Sequence, residues 1–198
     1  MILGLVLAGG RSSRFGREKA LAEIGGRPFV DHVVAVLSAG CERVAINARE
    51  DSLAAAYAQA HGLPCLSDAQ GDPDGPLSGV KAGLMWAKAQ GAQYLATAPC
   101  DTPFLQHDLV QRFEEADKGR GAVARTADGL QPLCALWPVG ALDALAAILA
   151  SGDHPAIKHV LLSLDVAEAA FDEADLFDNL NTPDDYRSAL RRAPKQAG

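Results

Sequence analysis

The sequence predicts an α/β domain built around a mostly parallel sheet. Two observations carry this. Residues 2–8, ILGLVLA, form a short continuous apolar run stopped by Gly9-Gly10, as in a strand buried on both faces. Strand-like and helix-like patterns then alternate through the first 120 residues, the order of a parallel sheet whose crossovers are helices. At 198 residues, with 48% hydrophobic and 22% charged residues, the chain has the size and balance of one globular domain. Residues 1–192 are expected to form it, with 193–198 as a disordered tail.

The elements follow in order. After the first strand, Pro28 marks a place where a helix can begin. Val30, Val33, Val34 and Leu37 repeat at helical spacing until Gly40. VAINA at 44–48 is a second strand, and an alanine-rich helix over 52–60 closes at Gly62. LPCLS at 63–67 is a third strand. DAQGDPDGP is a loop by its Gly, Pro and Asp content, and a helix over 77–90 ends at Gly91. YLATAP at 94–99 is a fourth buried strand, followed by a helix over 106–117. GAVART (121–126) and LCALW (133–137) are strands flanking a turn at Asp128-Gly129. Helices over 139–150 and 155–163, a strand over 166–171 and a helix over 183–192 complete the chain.

Composition narrows the function. Eighteen basic against 25 acidic residues give a net charge of -7, which leaves no electrostatic footing for binding a nucleic-acid backbone. The four cysteines, Cys41, Cys65, Cys100 and Cys134, match neither zinc spacing nor a dense disulfide framework, as suits a reducing compartment. The apolar start has no basic flank and is too short for a signal peptide or a membrane span, so a cytoplasmic protein without membrane contact is expected.

In an open parallel sheet, ligands bind outside the carboxyl ends of the strands. There stands LAGGRSSRFGREKAL, residues 7–21, with Gly9, Gly10 and Gly16 able to turn N–H groups inward around an anion. Arg11, Arg14, Arg17 and Lys19, against the single acid Glu18, make the stretch suited to phosphate. A P-loop would place Lys directly after the last Gly, and GxGxxG is absent, so neither familiar glycine motif applies. PCDTP, residues 99–103, delivers Asp101 just past a buried strand, a carboxylate suited to Mg2+, which takes one or two carboxylates plus substrate phosphates. A helix cap is the alternative for Asp101. Near the C-terminus, DNLNTPDD contains Thr182-Pro183, explained as helix punctuation, and Asn179 and Asn181, which are not. GPLSG places Gly75, Pro76 and Gly79 at a helix start, where backbone donors point outward. Asn47 and Asp68 stand at strand ends, with Asx-turn or capping roles equally open. The acidic stretch 165–185 reads as a solvated face.

LAGG-x-SSR-x-G-xx-KAL, GPLSG, PCDTP, QPLCAL and NLNTPDD, in this order over residues 3 to about 190, resemble the molybdenum cofactor guanylyltransferases, a family of nucleotidyltransferases. The resemblance implies a Rossmann-like three-layer α/β/α domain that joins GMP from GTP to the phosphate of molybdopterin (Mo-molybdopterin), with Mg2+ required and pyrophosphate released. Carried onto matching positions, it implies backbone contacts to GTP from Leu7, Ala8 and Gly9, with Gly10 beside them. Lys19 matches the phosphate-binding lysine, Asn47 and Asp68 match nucleotide contacts, and Asp101 matches the magnesium ligand. Asn179 and Asn181 match a pair near the pterin. The catalytic set is then Asp101, Lys19 and Arg14, with Gly79 completing the binding residues. Phe15 stands where the family often has Met, and Glu18 where Asp commonly precedes the lysine.

Three other functions compete. A cytidylyltransferase acting on the same pterin tends to carry LAAG rather than LAGG. A sugar-1-phosphate nucleotidyltransferase often has a hexapeptide-repeat tail, and none is seen here. A noncatalytic cofactor-binding protein would not need Arg14, Lys19 and Asp101 together. Docking with cofactor-biosynthesis proteins or apo-molybdoenzymes is the partner expectation beyond the small-molecule substrates.

Overall fold

The computed structural model describes residues 1–9, 19–152, 155–180 and 183–192. Nine strands are described: β1 (Ile2–Leu7), β2 (Glu23–Ile24), β3 (Arg27–Pro28), β4 (Arg43–Asn47), β5 (Cys65–Leu66), β6 (Tyr94–Pro99), β7 (Ala122–Thr126), β8 (Gly129–Pro138) and β9 (Ala167–Ala170). The helices are α1 (Phe29–Ser38), α2 (Leu53–Ala60), α3 (Pro76–Ala89), α4 (Leu109–Ala116), α5 (Leu142–Ala150), α6 (Ile157–Ser163) and α7 (Pro183–Arg192). Seven strands form one sheet in the order β5-β4-β1-β6-β8-β7-β9, while β2 and β3 pair as a small hairpin. Within the sheet β8 alone runs antiparallel to its neighbours β6 and β7, so the sheet is mostly parallel as expected.

Alternation along the strands separates two cores. In β1, Ile2 and Val6 face α1, α2 and α4, whereas Leu3, Leu5 and Leu7 face α3, α5 and α6. That two-sided burial is why the strand reads as an unbroken apolar run, and it gives the three-layer α/β/α arrangement. The helices fit their faces by local rules. Ser52 caps α2 by accepting from Ala55 N–H at 3.1 Å, and Pro76 occupies the first position of α3. Leu77, Val80, Leu84 and Ala87 then recur at helical spacing toward the sheet.

Several boundaries differ from the sequence expectation. The hairpin β2–β3 is new; Pro28 ends its second strand and, as expected, stands at the start of α1, at the N-cap position before Phe29. Helix α4 begins at Leu109 and not at 106, because residues 102–109 form successive turns, Leu105 N–H to Thr102 O and Leu109 N–H to Gln106 O. Strand β8 starts at Gly129 instead of 133, and a 3-10 turn over Val139–Ala141 precedes α5. Strand β5 is only Cys65–Leu66 of the expected 63–67.

A third, smaller cluster joins distant parts of the chain. Ala22, Ile24 and Phe29 pack with Leu180, and Phe104 and Tyr186 lean on them. Tyr186 Oη donates to Glu23 O at 2.7 Å, which fastens α7 to the hairpin.

Candidate active site

Strand register builds the site. Leu7 lies opposite Asn47 on one side and Pro99 on the other, and Asn47 lies opposite Leu66. These four strands are parallel, so their carboxyl ends share one edge. Hydrogen bonds prolong the match past the strands: Ala8 N–H to Asn47 O at 2.9 Å, Ala48 N–H to Leu66 O at 3.0 Å and Cys100 N–H to Leu7 O at 3.1 Å. Gly9, Asp68 and Asp101 each therefore stand two residues beyond one register line. With strands about 4.8 Å apart, the strand leading to Asp68 and the strand leading to Asp101 are roughly 14 Å apart. Asp68 and Asp101 stand at the two ends of this edge.

Asn47 is the fixed point of the Asp68 end. It is 4% exposed. Its Nδ2 donates to Leu66 O at 3.1 Å and to Asp68 Oδ1 at 2.8 Å. Its Oδ1 faces α3 so closely that a Cβ on Gly79 would stand 2.3 Å away, and one on Gly9 3.3 Å away. Glycine at 79 is thus a requirement of close approach. Asn47 joins β4, the segment after β5 and α3, a bridging role in place of the Asx turn or cap left open by the sequence. Asp68 is exposed and presents its carboxylate at the mouth.

Asp101 occupies the other end. It is half-buried, and its carbonyl accepts Leu180 N–H at 3.0 Å. Thr102, 2% exposed, donates through Oγ1 to Pro99 O at 2.9 Å and closes the turn that aims the segment. Helix α4 starts at Leu109 with Asp108 at its N-cap position, so the capping alternative for Asp101 does not hold. Among the described residues, no group of three or more His, Cys, Asp or Glu is placed to hold a metal ion. One carboxylate completed by phosphate and water oxygens is a donor set of the kind Mg2+ takes, and Asp101 fits it.

Because β8 is antiparallel, its first half borders this same edge. Between it and the C-terminal motif lies a small recess of about 60 Å³, walled by Pro99, Thr102, Gln131, Cys134, Phe177 and Asn179. Asn179 is exposed on its rim. Cys134 is buried, and burial, with the Asp101 charge adding to it, pushes its thiol far above the ordinary range, so it is inert.

Leu7, Ala8, Gly9, Asn47, Asp68, Gly79, Asp101 and Asn179 are thus all placed along one edge. Gly10, Arg14 and Asn181 lie outside the described residues, as do the side chain of Lys19 and the expected tail 193–198. The backbone of Lys19 opens a 3-10 turn whose Ala20 is buried in the core shared by α1 and α2. Sequence reasoning missed Thr102, Gln131 and the pair Lys81–Asp72. The QPLCAL motif was the one available signal for Gln131.

Residues 4–167 match the family model described as the MobA-like NTP transferase domain. The chain belongs to the MobA-like NTP transferase family. It is 43% identical over 197 residues to a protein of Cereibacter sphaeroides named molybdenum cofactor guanylyltransferase, covering 99% of both chains. A protein of the same name from Cupriavidus taiwanensis is 39% identical, covering 94% of this chain and 95% of its own. Among solved structures, the molybdopterin-guanine dinucleotide biosynthesis protein A of Archaeoglobus fulgidus superposes with a TM-score of 0.73 at 19% identity, covering 97% of this chain and 98% of its own. A 4-diphosphocytidyl-2C-methyl-D-erythritol synthase gives 0.71 at 16% identity, covering 96% of each chain. These two likenesses establish the fold. No described helix of this family member is long and apolar enough to cross a membrane.

Proposed function

We propose that this MobA-like nucleotidyltransferase transfers GMP from GTP to the phosphate of molybdopterin, carried as Mo-molybdopterin, in the cytoplasm. The products are molybdopterin guanine dinucleotide and pyrophosphate. The observation that carries the reading is the single edge on which Gly9, Asp68 and Asp101 each stand two residues past the register line that holds Asn47. The choice of guanine and of pterin is supported by the full-length relatives of that name.

In the reaction, a phosphate oxygen of molybdopterin attacks the α-phosphorus of GTP, and the bond to the β-phosphate breaks. Two anions must meet, so positioning and charge neutralisation do the catalysis, without a covalent protein intermediate. Backbone groups of Leu7, Ala8, Gly9 and Gly10 receive the nucleotide. Asp68, held by Asn47, offers its carboxylate to the ribose hydroxyls. Arg14 and Lys19 neutralise the departing pyrophosphate. Asp101 would hold Mg2+, which when bound neutralises charge shared between the phosphates. Asn179 and Asn181 border the acceptor side, where the recess beside β8 opens. Docking with cofactor-biosynthesis proteins or apo-molybdoenzymes belongs to the same proposal.

The test supplies the protein with Mg2+, molybdenum-loaded molybdopterin and GTP, CTP or ATP in separate reactions, and identifies dinucleotides by mass alongside pyrophosphate. Guanine dinucleotide from GTP alone is the expected outcome. A cytosine product overturns the base assignment, and no product with intact cofactor overturns the reaction.

A further inference from the structure

We infer that Lys81 is a positioning residue for nucleotide binding: through Asp72 it holds the segment 67–75, and with it Asp68, against the first turns of α3. The inference rests on the nucleotide reading above.

Segment 67–75 joins β5 to α3 without regular structure, yet it carries the carboxylate assigned to the nucleoside. Among its side-chain ties, four are clear. Ser67 Oγ donates to Ala48 O at 3.5 Å, and Asn47 donates to Asp68. Ser78 Oγ donates to Pro73 O at 2.6 Å, and Lys81 Nζ donates to both carboxylate oxygens of Asp72 at 2.7 and 2.9 Å. The last is the unusual one. The side chains of Lys81 and Asp72 are only 18% and 13% exposed, whereas charged residues on helices mostly reach solvent. Desolvating an ion pair is costly unless its geometry is good, and a two-pronged contact at these distances is good geometry.

The placement says what it serves. Ser78 and Lys81 are three apart, neighbours on one side of α3, and both grip the segment. Gly79, between them in sequence, is the residue against which Asn47 is pressed. One helix end thus locates Asn47 directly and Asp68 through its loop, so the distance between the two is set from both sides. Releasing Asp72 removes the two-pronged ion pair and leaves the neighbouring Ser78 to Pro73 hydrogen bond to hold that part of the segment.

Lys81→Met and Asp72→Asn test this, with Lys81→Arg as the conservative variant that keeps a two-pronged contact. GTP binding is titrated at equilibrium, KM is measured for GTP and for molybdopterin, and stability is followed by urea unfolding. Lys81→Met and Asp72→Asn are each expected to raise the GTP Kd and KM about tenfold and leave the molybdopterin KM within about twofold, whereas Lys81→Arg is expected to stay close to wild type. Should Lys81→Met not fold, Asp72→Asn carries the test. A lowered urea midpoint with unchanged GTP affinity overturns the inference, as does an equal rise in both KM values. A wild-type protein that binds no GTP overturns the nucleotide reading and this inference together; a wild type that binds GTP no better than the variants overturns the inference alone.

Discussion

Replacing Gly79 with alanine probes the closest approach in the site. The new Cβ would stand 2.3 Å from Asn47 Oδ1 and 2.9 Å from its Cγ, against the 3.4 Å at which ordinary contact begins, so something must retreat by roughly 1 Å. Asn47 is 4% exposed and held through Nδ2 by two hydrogen bonds, so its amide has nowhere to go without losing them. Overpacking of this kind costs about 1–3 kcal/mol, and each hydrogen bond lost adds about 0.5–1.5 kcal/mol. The better helix propensity of alanine returns about 1 kcal/mol. The balance is a loss of about 1–4 kcal/mol, and at about 2–4 °C per kcal/mol for a chain of this size Tm falls by several degrees. Gly83→Ala is the matched control, because its Cβ would stand 2.5 Å from Leu5 Cδ2 and 2.7 Å from Leu95 Cδ2, deep in the core and away from Asn47. Both variants should lose stability by calorimetry. At a temperature where both are folded, Gly79→Ala alone should weaken GTP binding by about tenfold or more. Equal GTP affinity in the two variants would refute the assignment of Asn47 to the nucleotide end, and a wild-type Tm for Gly79→Ala would refute the clash.

Three further outcomes are expected. Asp101→Asn should lower kcat/KM by about 100-fold or more in Mg2+; unchanged turnover would remove the metal role. Asp31 is held below its ordinary pKa of 3.8 by the Tyr57 hydroxyl and then by Arg27, against the opposing effect of burial. A depressed carboxylate stabilises the fold above its unfolded pKa, and that contribution is lost as pH falls through the folded value. Tyr57→Phe should therefore lower the urea midpoint at pH 7, and the difference from wild type should shrink below about pH 4; a difference that stays constant into acid would contradict the charge-assisted bond. Among the thiols, Cys65 is exposed although partial burial and then Glu50 raise it, whereas burial lifts Cys41 to about 12, with Glu114 contributing, and holds Cys134 higher still. At pH 8 a thiol reagent should modify Cys65 in the folded protein and reach Cys134 only on unfolding; fast modification at Cys134 would show that its pocket opens.

What could be read from the sequence was what is local. The apolar runs of β1 and β6 announce buried strands, and a strand followed by PCDTP puts Asp101 at its end whatever the rest of the chain does. The hairpin over 23–28 escaped notice because two-residue strands have no measurable period. The first half of β8 escaped because Gln131 and Pro132 interrupt the apolar pattern, and its half-buried residues show no clean alternation. Asn47 was visible only as a strand end. Its pairing with Asp68 and its pressure on Gly79 arise from three segments meeting in space, and no spacing in the chain encodes them. Lys81 looks like any helical lysine until Asp72 is seen to cover it.

The small cluster of Ala22, Ile24 and Phe29 with Leu180 has a consequence for synthesis on the ribosome. The hairpin leaves the exit tunnel early, but its apolar face waits for a residue made about 150 positions later. At about 5–20 residues per second that is a delay of roughly ten to thirty seconds. During that interval the nascent chain has no Leu180 to pack on Phe29 and Ile24. Leu180, whose N–H also donates to the Asp101 carbonyl, arrives only when translation is nearly done, so the last part of the message closes the first and ties down Asp101 in the same motion.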